Sequence, residues 1–165
     1  MITILGIGNS LLQDEGIGFH LLNFISTNRP KWPVKVLDGG TLGFSLVSEI
    51  ESCSHLIVLD AANLHSKPGT VKTFLNKDLD DFLNKPGKSV HEVSISDLFD
   101  ITRLTDSIPV HRAMISIQPK SIFWGENLTP EVKAALPEAL KQIEKVLLDW
   151  GIIVADELQG VVNET

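Results

Sequence analysis

The spacing of apolar residues changes along this chain, and it predicts strands that alternate with helices. A continuous apolar run at residues 2–5 ends at a glycine-rich turn, which is typical of a parallel strand buried on both faces. Asp14 then offers an N-cap for a first helix, which should end before Pro30. The residues that recur at helical spacing within this helix are Ile17, Leu21, Leu22 and Ile25.

Two further strands follow the same plan. Residues 34–37 predict a short strand that ends at Asp38, and residues 55–59 predict the most apolar strand, which ends at Asp60. A second helix is expected between them, carrying Phe44, Leu46, Val47 and Ile50. Three strands separated by helices predict a parallel, doubly wound sheet with right-handed crossovers and the spatial order 2-1-3.

The pattern is less regular in the middle of the chain. Residues 70–75 alternate between apolar and polar, as an edge or antiparallel strand does. Residues 76–90 are polar and contain Pro and Gly, which predicts a surface loop with one helical turn. Residues 95–104 predict a further helix, and residues 113–117 predict a further strand.

The last predicted helix begins where Thr129 precedes Pro130, since Pro is favoured at the first helical position, and it should run to about Trp150. The chain has 165 residues, of which 43% are hydrophobic and 21% charged. That length and mixture predict one globular domain, residues 1–155. The acidic tail, residues 156–165, is expected to be loose.

Composition excludes several classes of protein. The chain carries 14 Lys and Arg against 21 Asp and Glu, a net charge of −7, which argues against nucleic acid as a partner. No apolar stretch approaches the ~20 residues of a membrane span, and the first residues lack the basic segment of a signal peptide. The single cysteine, Cys53, excludes an internal disulfide and is expected to be a buried, inert thiol. These features predict a cytoplasmic protein.

The turn after the first strand resembles a dinucleotide-binding loop only in part. Gly6-Ile7-Gly8 supplies two glycines, but Leu11 occupies the position of the third. In such a loop, the acidic residue that binds the ribose is expected about 20 residues after the glycines, whereas Asp38 lies farther away. Asp14 and Glu15 would also place negative charge where a pyrophosphate binds. A tight strand-to-helix turn explains the glycines better.

Two carboxylates are expected to meet at one edge of the sheet. Ligands bind open α/β sheets outside the carboxyl ends of the strands, where the strand order reverses. Glu15 follows the first strand and Asp60 ends the third, and close carboxylates repel unless a proton or a cation joins them. His91, in a polar loop, is either a surface histidine or a nitrogen ligand that would suit a borderline divalent ion. His111 is the reserve ligand.

Five sequence blocks resemble, in order and at family-like intervals, the hydrogenase maturation proteases, which remove a C-terminal peptide from the large subunit of nickel–iron hydrogenases. The resemblance covers about residues 1–150, and its first block reads GIGNSLLQDEGIG. The blocks are residues 6–18, residues 38–43, residues 59–61 with 68–71, residues 89–92, and residues 118–119 with 128–130 and 135–137.

The resemblance implies an α/β fold, a three-layer α/β/α sandwich around a five-stranded, mostly parallel mixed sheet with one antiparallel strand. It also implies that Glu15, Asp60 and His91 are metal-binding and catalytic residues. The nickel would be carried by the large-subunit precursor, so that cleavage follows nickel insertion. Other divalent ions could occupy the site in the free protein. No membrane insertion is expected, and the predicted state is a monomer.

The implied activity is that of an endopeptidase of the aspartic type. A bound metal could polarise the scissile carbonyl or lower the pKa of a water, and one carboxylate could act as general base. Asp38 is either a further catalytic residue or a turn-forming Asp. Gly39, Gly40 and Thr41 are candidate substrate-binding residues, since glycine lets a peptide backbone approach closely.

Two questions stay open from the sequence. The same metal-binding residues would also serve a non-catalytic nickel-binding assembly chaperone for the same subunit, and only cleavage of a peptide bond separates that function from a protease. The adjacent Phe123 and Trp124, near the last helix, form either a docking patch or part of the core.

Overall fold

The structure is a computed structural model, and it describes residues 1–40, 43–85 and 94–155. One five-stranded sheet has the order β2-β1-β3-β5-β4. Strands β2, β1, β3 and β5 run parallel to one another, whereas β4, the last strand in this order, pairs antiparallel with β5. This confirms the spatial order 2-1-3 and the mixed sheet. The strands are β1 (Ile2–Ile7), β2 (Lys35–Gly40), β3 (His55–Ala61), β4 (Val71–Leu75) and β5 (His111–Ile117).

Helices cover both faces of the sheet, which makes the three predicted layers. The helices are α1 (Ile17–Asn28), α2 (Val47–Ser52), α3 (Asn76–Leu83), α4 (Ile95–Leu104), α5 (Pro130–Lys133) and α6 (Leu136–Asp149). Strand β3 shows why the central strands are continuously apolar. Ile57 and Leu59 join the core beneath α1 and α6, whereas Leu56 and Val58 join the core beneath α2, α3 and α4. Successive side chains of a strand point to opposite faces, so both faces of β3 are buried.

The first two predicted helices begin differently from expectation. A 3₁₀ turn (Gln13–Gly16) precedes α1, so the prediction of Asp14 as a helix N-cap was wrong. Its side chain bonds instead to a distant part of the chain, as described below. A second 3₁₀ turn (Phe44–Leu46) leads into α2, which is only six residues long.

Two predictions for the later part of the chain also need correction. Residues 76–83 form α3 rather than a loop with one turn, because Leu79 and Phe82 anchor one face of it in the core. The last helix is divided into α5 and α6. Pro137, in the first turn of α6, has no N–H to continue the hydrogen-bond ladder and therefore interrupts it.

Cys53 is buried as predicted, and its Sγ donates to the Ile50 carbonyl at 3.1 Å. Burial raises the pKa of this thiol, so it is held in the protonated form. Among the described residues, no helix is both long and apolar enough to cross a membrane. The tail at residues 156–165 lies outside the described ranges.

Candidate active site

The glycine turn after β1 brings Glu15 down onto the carboxyl edge of the sheet. Gly8 has φ +119°, and its N–H donates to the Gly40 carbonyl at 2.7 Å, which ties the turn to the end of β2. A Cβ at Gly8 would lie only 2.0 Å from the Glu15 carbonyl oxygen. The turn can therefore fold back over the strand end only because this position has no side chain.

Both predicted carboxylates are buried at this edge. Glu15, on the 3₁₀ turn, is 7% exposed, and Asp60, near the end of β3, is 5% exposed. The 3₁₀ turn packs against β3, and β1 and β3 are paired neighbours. The structure thus places Glu15 and Asp60 on adjoining elements at one edge of the sheet, as predicted. Charged side chains are rarely buried without a specific role, so both are candidates for chemistry.

The predicted third ligand, His91, lies outside the described residues. Within residues 1–40, 43–85 and 94–155, no three His, Cys, Asp or Glu side chains are grouped closely enough to hold a metal ion. The set of Glu15, Asp60 and His91 therefore stays a prediction. Asp60 and Glu15 supply oxygen ligands and His91 would supply nitrogen, a donor set that suits borderline divalent ions.

Asp14 holds the turn that carries Glu15, a role that the sequence did not reveal. Its carboxylate is fully buried and accepts the backbone N–H groups of Lys120 (2.9 Å), Ser121 (3.1 Å) and Thr129 (2.8 Å). The Thr129 hydroxyl also donates to it at 2.7 Å instead of capping α5. Hydrogen bonds to a buried carboxylate are strong, because the ionised acceptor has lost water.

We call residues 120–129 the strap loop, because they are tied to the turn at several further points. Gln13 N–H donates to the Gly125 carbonyl, and Gly125 N–H donates to the Leu11 carbonyl, both at 2.8 Å. The Ser121 hydroxyl donates to the Gln13 side chain. These bonds join two segments that lie more than 100 residues apart in sequence, and they fix the strap loop beside the candidate site.

The predicted substrate-binding segment lies at the same edge. Asp38 is exposed and its Oδ1 accepts the Gly40 N–H at 2.9 Å, so the turn-forming role is observed and the catalytic role stays a prediction. Gly39 packs closely, since an added Cβ would lie 2.9 Å from Leu5 Cδ1, whereas the same position at Gly40 is open. Thr41 lies outside the described residues.

Ser116 is a second polar residue that the sequence did not single out. It stands opposite Asp60 in the pairing of β3 with β5 and is fully buried. Among the described residues, its hydroxyl has no hydrogen-bond partner. A single serine within the apolar run of residues 113–117 gives no pattern by which the sequence could have revealed it.

The prediction of His111 as a reserve ligand was wrong. His111 begins β5 and pairs with His55 at the start of β3, whereas Asp60 lies five residues further along that strand. At about 3.3 Å per residue, the two ends are roughly 16 Å apart. His111 therefore belongs to the opposite edge of the sheet.

The alternative that Phe123 and Trp124 belong to the core was also wrong. The two side chains are 80% and 79% exposed. They lie in the strap loop, between the two places where its backbone is bonded to residues 11–14.

Comparison with known proteins shows which family this chain resembles. The family described as "Hydrogenase maturation protease" matches residues 21–146. The hydrogenase 2 maturation protease of Escherichia coli is 32% identical over 155 residues, which cover 92% of this chain and 93% of that protein. The hydrogenase expression/formation protein HupD of Rhizobium leguminosarum is 32% identical and covers 96% of this chain and 80% of HupD.

Solved structures show the same likeness. The hydrogenase maturating endopeptidase HybD from E. coli has a TM-score of 0.81 at 32% identity, and covers 91% of this chain and 93% of its own. The [NiFe] hydrogenase maturation protease HybD from Thermococcus kodakarensis has a TM-score of 0.73 at 26% identity, over 88% of this chain and 99% of its own. The fold is thus shared over nearly the full length of each of these proteins.

Proposed function

The chain belongs to the hydrogenase maturation protease family, and we propose that it removes the C-terminal extension of a nickel–iron hydrogenase large-subunit precursor after nickel has been inserted. Endopeptidase activity follows from membership of the family. Recognition of nickel, and the order of nickel insertion and cleavage, are the proposed parts.

The observation that carries the proposal is the burial of two carboxylates at one edge of the sheet. Glu15 and Asp60 lie on adjoining elements at the carboxyl ends of β1 and β3, where open α/β sheets bind their ligands. Carboxylate oxygens are ligands for divalent cations, so these two side chains could bind a cation that the substrate delivers.

We assign Glu15, Asp60 and His91 to recognition of the nickel that the precursor carries. Nickel at this edge would draw the scissile peptide bond toward the carboxylates and polarise its carbonyl. One of the two carboxylates then accepts a proton from the attacking water. Gly39, Gly40 and Thr41 would receive the extended peptide, and the open space above Gly40 leaves room for a backbone to approach.

A cleavage assay tests the proposal directly. The protein is mixed with the large-subunit precursor from the same genome, prepared with and without nickel, and the products are weighed by mass spectrometry. We expect loss of a C-terminal peptide from the nickel-loaded precursor only. Equal cleavage of the nickel-free precursor would contradict nickel recognition. Binding with no change in mass would favour the nickel-binding chaperone instead.

A further inference from the structure

We propose that the strap loop is the docking surface for the large-subunit precursor, at a place separate from the bond that is cut. The surface consists of Ile122, Phe123 and Trp124, which we call the strap patch. The proposal rests on the proposed function, because it takes the precursor as the substrate of the neighbouring site.

The strap patch projects from a fixed base. On one side of it, Lys120 and Ser121 donate backbone N–H groups to buried Asp14, and on the other side Gly125 exchanges two backbone hydrogen bonds with residues 11–13. The His20 ring also bonds to the Glu126 carbonyl at 3.0 Å. The exposure of the patch therefore does not come from fraying of the loop. A preorganised surface loses little conformational freedom when a partner binds.

The composition of the strap patch is that of a protein interface. Phe123 and Trp124 together expose roughly 300 Å², since an aromatic side chain carries about 150–250 Å². Contiguous apolar patches of that order on a monomer are often functional. Aromatic side chains, Trp above all, dominate the binding energy of interfaces. Leu11 and Phe19, on the segments that bond to the strap loop or flank His20, are exposed as well.

Continuity with the candidate site identifies the occupant. Asp14, which holds the strap loop, directly precedes Glu15 on one short turn. A body that covers the strap patch therefore also faces the carboxyl edge of the sheet, where the scissile bond must be placed. A second copy of this chain seated there would obstruct that edge, and two copies that each carry a net charge of −7 repel one another. A protein substrate with an apolar face of its own can cover the strap patch while its scissile bond lies at the carboxyl edge.

The test is steady-state cleavage of the nickel-loaded precursor from the same genome by a double variant, Phe123→Ala with Trp124→Ala. The matched control is Leu104→Ala with Val110→Ala, which removes two exposed apolar side chains, 88% and 73% exposed, from the opposite edge of the sheet. We expect KM to rise roughly 30-fold or more in the patch variant, with kcat within about threefold of wild type. The control should match the wild type in both constants.

Three results would overturn the inference. If the wild type cleaves the precursor and the patch variant cleaves it with an unchanged KM, the docking surface is refuted and the proposed function stands. A wild-type protein that neither binds nor cleaves the precursor refutes both. A wild type that sediments as a dimer, with the patch variant a monomer, assigns the patch to a second copy.

A photo-crosslink tests the same inference without kinetic measurements. A benzophenone amino acid replaces Phe123 in one sample and Leu104 in another, and each is irradiated with the precursor. We expect a crosslink to the precursor from position 123 only. Equal crosslinking from both positions would contradict a defined docking surface.

Discussion

Ionisable side chains lie at both ends of the parallel strands, the amino edge and the carboxyl edge of the sheet, but their surroundings differ. At the amino edge, His55 and His111 stack with ring centroids 4.4 Å apart, and Trp150 packs against His55 at 5.1 Å. At the carboxyl edge, Glu15 and Asp60 are buried, and Asp14 beside them is bound by three backbone N–H groups and one hydroxyl.

The comparison teaches that a pair of ionisable residues does not by itself make a site. The register of β3 and β5 brings the two histidines together, and their rings stack on one another beside Trp150. Glu15 lies on the turn that follows β1 and Asp60 lies near the end of β3, and the carboxyl ends of strands border the crevice in an open α/β sheet. Removing groups from each edge in turn should therefore give different kinds of loss.

The largest effect should come from the buried carboxylates. We expect Glu15→Gln or Asp60→Asn to lower kcat/KM for the precursor by about 10³-fold, as is typical when a group that moves a proton or holds the reacting centre is removed. His111→Gln, at the amino edge, should leave kcat/KM unchanged. Mass-spectrometric cleavage rates measure this, with circular dichroism as the check on folding. A kcat/KM within threefold of the wild-type value in these variants would show that Glu15 and Asp60 do not belong to the active site.

The next effect concerns the hydrogen bonds to the Asp14 carboxylate, which we call the clamp, rather than the chemistry. Asp14→Ala should lower the free energy of unfolding by about 3 kcal/mol, because it leaves three backbone donors buried without an acceptor. Asp38→Ala is the matched control at the same edge, since Asp38 is exposed and accepts one bond, and it should cost less than about 1 kcal/mol. Urea denaturation distinguishes them. Equal midpoints would show that the clamp does not stabilise the fold.

A smaller difference separates two glycines of the same edge. Gly8→Ala and Gly40→Ala both force alanine to adopt a positive φ, which costs about 1 kcal/mol. Only at Gly8 would the new methyl meet the Glu15 carbonyl, whereas nothing lies within 4 Å of that position at Gly40. We expect Gly8→Ala to be less stable by about 2 kcal/mol more. Identical urea midpoints in the two variants would contradict a tight fit of the turn.

The smallest effect belongs to the amino edge. Burial and the neighbouring His111 lower the pKa of His55, so the folded protein binds that proton less readily than the unfolded chain. Stability from this cause is present above pH 6.5 and is lost as the pH falls through the lowered pKa. Because the rings are partly exposed, we expect less than about 1 kcal/mol. Thermal unfolding between pH 7 and pH 5 should show a shallower loss in His111→Gln, and parallel curves would contradict the coupling.

Local patterns were sufficient for the parts of the fold that depend on local physics. The apolar runs at β1 and β3 and the helical spacing in α1 and α4 identified these elements. The placement of Glu15 and Asp60 at one edge followed from the rule for open sheets. Position 91 is untested, because it lies outside the described residues.

What the sequence concealed depends on contacts between distant segments. Asp14 and Thr129 each have the pattern of a helix cap, and each turned out to be the other's partner across 115 residues. The split between α5 and α6 depended on Pro137, which the apolar spacing on either side obscures. The exposure of Phe123 and Trp124 could not be predicted, because large aromatic residues are buried more often than not.

The clamp at Asp14 has a consequence for folding while the chain is being synthesised. Its partners lie 106 to 115 residues downstream, so at ribosomal rates they are synthesised about 5 to 20 s after it. Until then the turn that bears Glu15 cannot take its final shape, however early β1 and α1 form. We therefore expect nascent chains released before residue 129 to be inert toward peptide bonds. Contacts made late in translation would thus decide when this protein first becomes a protease.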